Sequence, residues 1–172
     1  MIKKVRLDFE TQSEADLRKI GAYEYSRHHT TRVLCMAFKI DSGPVRLYGY
    51  DFFSKHWRDL PDAFKTSWAA LIKSGIFAAY NAYFEQCIYQ NVLVRVQGWP
   101  PIPIRSFRCT AVKSASHALP RKLGDAAAVL GLSVQKDMEG HRVMMKLCKP
   151  TAAWRKWKKD ADKAEERKAL GK

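Results

Sequence analysis

Apolar residues along this chain fall first at strand-like spacing and then, from Pro61 onward, at helical spacing. Residues 3–9 (KKVRLDF) read as a strand. The run 33–40 (VLCMAFKI) is continuously apolar and short enough for a buried strand. DSGP at 41–44 supplies a turn, and 45–50 returns as a third strand, so an antiparallel meander is expected. Between the first two strands, the polar segment 12–31 reads as loop with a short helical turn. Past Pro61, the residues Phe64, Trp68, Leu71 and Ile72 share one helical face, with Pro61 at the helix start and Gly75 beyond its end. IFAAY at 76–80 is a fourth, fully apolar strand. A helix over about 83–96 carries Phe84, Cys87, Ile88, Asn91 and Val92 along one side. WPPIP at 99–103 breaks it and leads into an extended piece at 104–109. Helices are expected over about 110–117, 121–130 and 138–147, followed by an Ala-, Lys- and Glu-rich stretch at 152–170 whose large apolar residues are Trp154 and Trp157. This order predicts an α/β domain over 1–150 around a mixed five-stranded sheet flanked by helices, with a charged helical tail at 151–172.

Composition supports a globular domain: 47% of residues are hydrophobic and 12% aromatic, enough for a real core in one unit of this length. No apolar run approaches the ~18–20 residues of a membrane helix, and no signal-peptide core follows the basic N-terminus, so no membrane partner and an intracellular location are expected. Cys35, Cys87, Cys109 and Cys148 contain no Cys-x-x-Cys pair, and the five histidines lack metal-site spacing. Reduced, mostly buried thiols are therefore expected, with neither a zinc site nor a disulfide framework. Charge changes the picture more. Thirty-one Lys and Arg against seventeen Asp and Glu give +14, spread along the body and not confined to the tail, which favours a polyanionic partner.

Candidate chemistry begins with DFET at 8–11. In a strand, Asp8 and Glu10 point to one face, where two carboxylates repel unless a cation lies between them. Alone, such a pair reads as a solvated strand end. A second acid, Glu85, follows the fourth strand in NAYFE at 81–85. Alone, Glu85 suits the positive end of a helix and Asn81 its N-cap. If strands one and four are neighbours, however, three carboxylates converge at one edge of a sheet in a cationic protein. Carboxylate oxygens suit Mg²⁺ or Mn²⁺, the ions of phosphodiester hydrolysis.

D-x-E-T at 8–11 resembles the first motif of the DEDD, or DnaQ-like, 3′–5′ exonucleases, and NAYFE resembles the second, in a variant with Glu in place of Asp. The stretches at 21–23, 33–37, 81–85, 98–100 and 136–140 are similar to the proofreading domain of bacteriophage-type family A DNA polymerases, so the resemblance covers residues 5–150. It implies a ribonuclease-H-like fold and removal of nucleotides from the 3′ end of single-stranded DNA. It implies that Asp8 bridges two Mg²⁺ or Mn²⁺ ions, that Glu10 holds the more tightly bound one, and that Glu85 acts on the second through water. Thr11 is implied to contact the terminal 3′-hydroxyl, and Asn81 and Phe84 to shape the terminal-nucleotide pocket. A phage origin would place the protein in the cytoplasm of a bacterial host.

The family's third motif, Tyr-x-x-x-Asp or His-x-x-x-x-Asp, has no counterpart. His141 is followed five residues later by Lys146, and Tyr89 is the last tyrosine. Asp160 and Asp162 stand in the charged tail and read as solvated surface. The expectation is an exonuclease domain that is catalytically incomplete until a polymerase segment or complementary chain supplies the fourth carboxylate. The alternative is a non-catalytic nucleic-acid-binding module with a degenerate site.

Overall fold

The computed structural model describes residues 3–51, 56–57, 62–133, 137–152 and 155–156. Strand β1 (Lys4–Gln12) alternates exposed and buried positions, with Val5, Leu7 and Phe9 facing inward. This is the period-2 pattern of a strand with one face on the core. β2 (Arg32–Ile40) and β3 (Val45–Asp51) continue from it as the expected antiparallel meander. β5 (Ile76–Ala79) lies parallel to β1 on its other side, and β6 (Phe107–Cys109) lies parallel to β5. A two-residue strand, β4 (His56–Trp57), extends the sheet beyond β3 and gives the order β4-β3-β2-β1-β5-β6. The sheet is thus the expected mixed five, flanked by helices, with a sixth strand too short for a hydrophobic period to reveal.

One face of the sheet holds the core. Trp68, from helix α2 (Asp62–Ser74), is 1% exposed and packs edge-on against Phe38, Phe77 and Trp99, while its Nε1 donates to the Tyr89 hydroxyl at 3.0 Å. Tyr89 Oη in turn donates to the Pro100 carbonyl at 2.8 Å, so both polar aromatic groups are satisfied inside the core. Helix α3 (Ala82–Ile88) enters the same layer and passes at once into a wider π-helical turn over Tyr89–Val94. The single helix expected over 83–96 is therefore two kinds of turn.

Helix α1 (Leu17–Arg27) occupies much of the stretch expected as loop. Gly21 breaks it with φ 76°, a left-handed conformation that suits glycine, and Tyr25 and Ser26 are its buried residues, so it carries almost no apolar stripe. The extended piece at 104–109 resolves into a 3₁₀ turn (Ile104–Ser106) followed by β6. Helices α4 (Thr110–Ser116), α5 (Leu123–Val129) and α6 (Met138–Leu147) follow the expected spans within a few residues. The tail at 151–172, with Asp160 and Asp162, and Lys136 of the 136–140 block lie largely or wholly outside the described residues.

The opposite face of the sheet can be read from the strand registers. One row runs Val45, Lys39, Arg6, Ala78, Arg108; the next runs Leu47, Ala37, Asp8; a third runs Gly49, Cys35, Glu10. A register shift after Glu10 makes Leu34 an extra residue on β2, because Glu10 pairs with Cys35 and Thr11 with Val33. A Cβ on Gly49 would lie 2.7 Å from the Leu34 carbonyl oxygen and 2.8 Å from Cys35 Cβ, so only glycine fits across from this bulge.

Candidate active site

Asp8 and Glu10 stand on the sheet face away from the core, near the carboxyl end of β1. β5 ends close to this level: Arg6 pairs with Ala78, so Asp8 lies just past the last paired residue of β5. The chain leaving β5 turns through Asn81, which adopts a left-handed conformation (φ 68°, ψ 49°), and starts α3. Asparagine tolerates that conformation better than most residues. Its side chain makes no capping bond, so it is not spent on the helix.

Glu85, in the first turns of α3, is 3% exposed, and its Oε2 is buried without a hydrogen-bond partner. Burial, partly countered by a bond to its own backbone N–H, and then the charges of Asp8, Cys109 and Glu10 together push its carboxyl up to about 8. Burial also raises Asp8 above the usual carboxylate range, and Glu10 is raised by burial and then by Asp8. The charges of Asp8 and Glu10 are therefore felt at Glu85.

Magnesium and manganese take oxygen ligands. The donors fit such an ion in kind: three carboxylates, one with an orphaned buried oxygen. Among the described residues, however, no three His, Cys, Asp or Glu side chains stand as a group that could hold a metal ion. The set is short of a closed cage.

Other expected site residues are placed differently. Thr11 is buried, and its hydroxyl pairs with the Tyr25 hydroxyl at 3.0 Å, so its oxygen is engaged inside the protein. Phe84 is half-buried beside Tyr25, with ring centroids 6.2 Å apart. Two cysteines stand near the acids: Cys35, from the 33–37 stretch, and Cys109, which nothing in its sequence neighbourhood marked. Cys35 is the cross-strand partner of Glu10; burial raises its thiol, and Glu10 and Asp8 raise it further. Cys109 ends β6 beside Ala79. Burial works to raise its thiol but is outweighed by the backbone N–H groups of Val112, Ala82, Asn81 and Ala111, which leave it lowered. Both reach the site through strand pairing, which local spacing does not encode.

No family model matches the chain. It is 32% identical over 158 residues to the DNA polymerase of Bacillus phage SP02, an alignment that takes in 88% of this chain and 22% of that polymerase. The chain thus spans about a fifth of that relative's length. Among solved structures, the family B DNA polymerase of the archaeon Pyrobaculum calidifontis superposes with a TM-score of 0.54 at 13% identity, over 90% of this chain and 22% of that one. Escherichia coli exonuclease I in complex with a 5cy-dA13 oligonucleotide gives a TM-score of 0.49 at 14% identity, over 86% of this chain and 40% of that one. The polymerase likeness is one of fold, in keeping with the ribonuclease-H-like arrangement expected. Among the described residues no helix is long and apolar enough to cross a membrane.

Proposed function

We propose that this chain is a metal-dependent 3′–5′ exonuclease domain of the proofreading type, part of or partner to a DNA polymerase, and catalytically incomplete by itself. The observation that carries the proposal is the buried Glu85 carboxyl, whose Oε2 has no hydrogen-bond partner and which feels the charges of Asp8 and Glu10. The 32% identity to a phage DNA polymerase supports the polymerase context, and the +14 charge supports a nucleic-acid substrate.

Asp8 and Glu10 would hold Mg²⁺ or Mn²⁺ from the open sheet face, and Glu85 from the mouth of α3. When bound, two such ions activate the attacking water and offset charge on the leaving oxygen. Burial favours the protonated form of Glu85 below about pH 8, which limits repulsion among the three carboxylates, and a bound cation would favour its ionised form. Asn81, with its amide left free of capping, and Phe84 would line the pocket for the terminal nucleotide. Thr11 would reach a 3′-hydroxyl only by exchanging its bond to Tyr25. A fourth carboxylate and the group that positions water would come from another segment.

The test is digestion of end-labelled single-stranded DNA with Mn²⁺ by the 172-residue chain, with and without a polypeptide carrying Tyr-x-x-x-Asp. A positioning or acid–base residue contributes ~10²–10⁴-fold. Digestion by the chain alone should therefore be slower by at least that factor, and addition should restore it. Full-rate, Asp8-dependent digestion by the chain alone would remove the claim of incompleteness. DNA binding with no digestion under either condition would favour a non-catalytic binding module.

A further inference from the structure

Helix α4 meets the sheet without packing down on it. None of its residues is buried, and Val112 is 68% exposed. Between α4 and the strands lies a cavity of about 580 Å³. On the helix side it is lined by Cys109, Val112, Lys113 and Ser116, which recur at helical spacing. On the strand side Lys4 pairs with Ile76 and Ala78 with Arg108, and all four line the cavity. A helix beside a sheet ordinarily buries an apolar stripe against it. Here that stripe is missing, and the space left falls within the ~300–1,000 Å³ of small-molecule sites.

The lining selects the chemistry of an occupant. Ile76, Ala78, Phe107 and Val112 give it apolar walls, and Phe107, half-buried with its ring 6.1 Å from that of Phe77, supplies an aromatic surface for a flat ring. Lys4, Arg108 and Lys113 bring three cations, and among the described residues no acid lines the cavity. Neither Lys4 nor Lys113 pairs with an acid among the described residues. Arg108 Nη1 donates to the Arg105 and Phe107 carbonyls, and its other N–H groups remain for an anion. Thr110 and Ser116 donate to the Ala79 and Lys113 carbonyls at 3.0 and 2.8 Å, and their oxygens keep lone pairs for N–H donors. A divalent cation is repelled here. A flat apolar body carrying a phosphate is accommodated.

The cavity is a different place from the carboxylates, since none of Asp8, Glu10 and Glu85 lines it. Cys109 stands between the two. Its thiol meets the backbone N–H groups of Ala111 and Val112 on α4 and of Asn81 and Ala82 at the start of α3. An occupant of the cavity is therefore reported at that sulfur.

We propose that the cavity beneath α4 is a second binding site, for a nucleoside 5′-monophosphate, with its base against Phe107 and Val112 and its phosphate among Lys4, Arg108 and Lys113. The site goes beyond the exonuclease reading and does not depend on it, although the product of that reaction belongs to the same class of molecule.

The probe is thymidine 5′-monophosphate, titrated calorimetrically into the 172-residue chain in EDTA, which keeps metal ions out of the carboxylate site. Saturable binding is expected, with thymidine and inorganic phosphate each at least about tenfold weaker, because each lacks one half of the recognition. Lys113→Glu, a change at an exposed position, should weaken binding about tenfold or more and leave thermal unfolding unchanged. The nucleotide should also slow alkylation of Cys109 several-fold while leaving Cys148 unaffected. Asp8→Ala should bind as the wild type does. Absence of saturable binding at millimolar nucleotide, indifference to Lys113→Glu, or unchanged alkylation of Cys109 would each overturn the proposal. Inorganic phosphate binding as tightly as the nucleotide would reduce the cavity to an unspecific anion site and overturn it too. Loss of binding in Asp8→Ala would place the nucleotide at the carboxylates, which counts against the second site and leaves the exonuclease reading standing.

Discussion

Glu85 carries the sharpest consequence of burial at a single residue. Burial holds its carboxyl at about 8, whereas in the unfolded chain the group titrates near its ordinary 4.5. Between these values the folded protein binds a proton that the unfolded chain has released. Stability should therefore be highest below about pH 4.5 for this group and fall as pH rises through about 8. Glu85→Gln, which is neutral and of similar shape, should flatten that dependence and stabilise the protein above pH 8 by on the order of a few kcal/mol. Urea denaturation of both proteins at pH 5 and pH 8.5 measures it; an equal pH dependence in the two would rule Glu85 out as the source. On the function proposed above, Mn²⁺ should also flatten the wild-type dependence. The identity of this residue was legible in NAYFE, because a strand running into a helix fixes where an acid at 85 must stand. The orphaned oxygen was not, since it depends on what α3 packs against.

At the scale of elements, the meander and the helices that follow long apolar stripes could be read directly from the sequence. Phe64, Trp68, Leu71 and Ile72 announce α2 because helical spacing repeats over several turns. Helix α1 could not be read, because Gly21 interrupts it and only Tyr25 and Ser26 turn inward. β4 has two residues and no period at all. Trp68 shows how much rests on α2. Trp68→Ala should cost about 3–5 kcal/mol, since it empties a space bounded by Phe38, Phe77 and Trp99. Equilibrium unfolding should show a lower midpoint with an unchanged slope. Gly49→Ala should also destabilise, by forcing β3 away from the Leu34 carbonyl, and should disturb the Gly49–Cys35–Glu10 row. Faster alkylation of Cys35 would report that disturbance, whereas unchanged thiol reactivity would mean the row absorbs the methyl group.

For the whole molecule, net charge sets the terms of any encounter with nucleic acid. At +14, binding to single-stranded DNA should weaken steeply with salt, with a log–log slope of about −0.7 for each phosphate contact. Fluorescence anisotropy between low and moderate salt gives the slope, and a flat response would exclude an electrostatic groove. The α/β class with a mixed sheet was legible from the order of strands and helices alone, whereas the ribonuclease-H-like arrangement was implied by the resemblance of the motifs. Which side chains share the sheet face of Asp8 and Glu10 was not legible, because the registers that place Val45 and Leu47 opposite Lys39 and Ala37 appear only once the strands are paired.

The extra residue at Leu34 ties two distant positions into one inheritance. Deleting it would leave Glu10 opposite Cys35 and Thr11 opposite Val33, so the strands on either side would keep their pairing. The Leu34 carbonyl that bars a side chain from position 49 would then withdraw, leaving Cys35 Cβ as the remaining obstacle. Lineages that lose the Leu34 codon should thus be able to replace Gly49 where position 35 gives way, while those that keep it should hold glycine there. An alignment of relatives in which length at 34 and residue type at 49 vary independently would show that the two are not coupled.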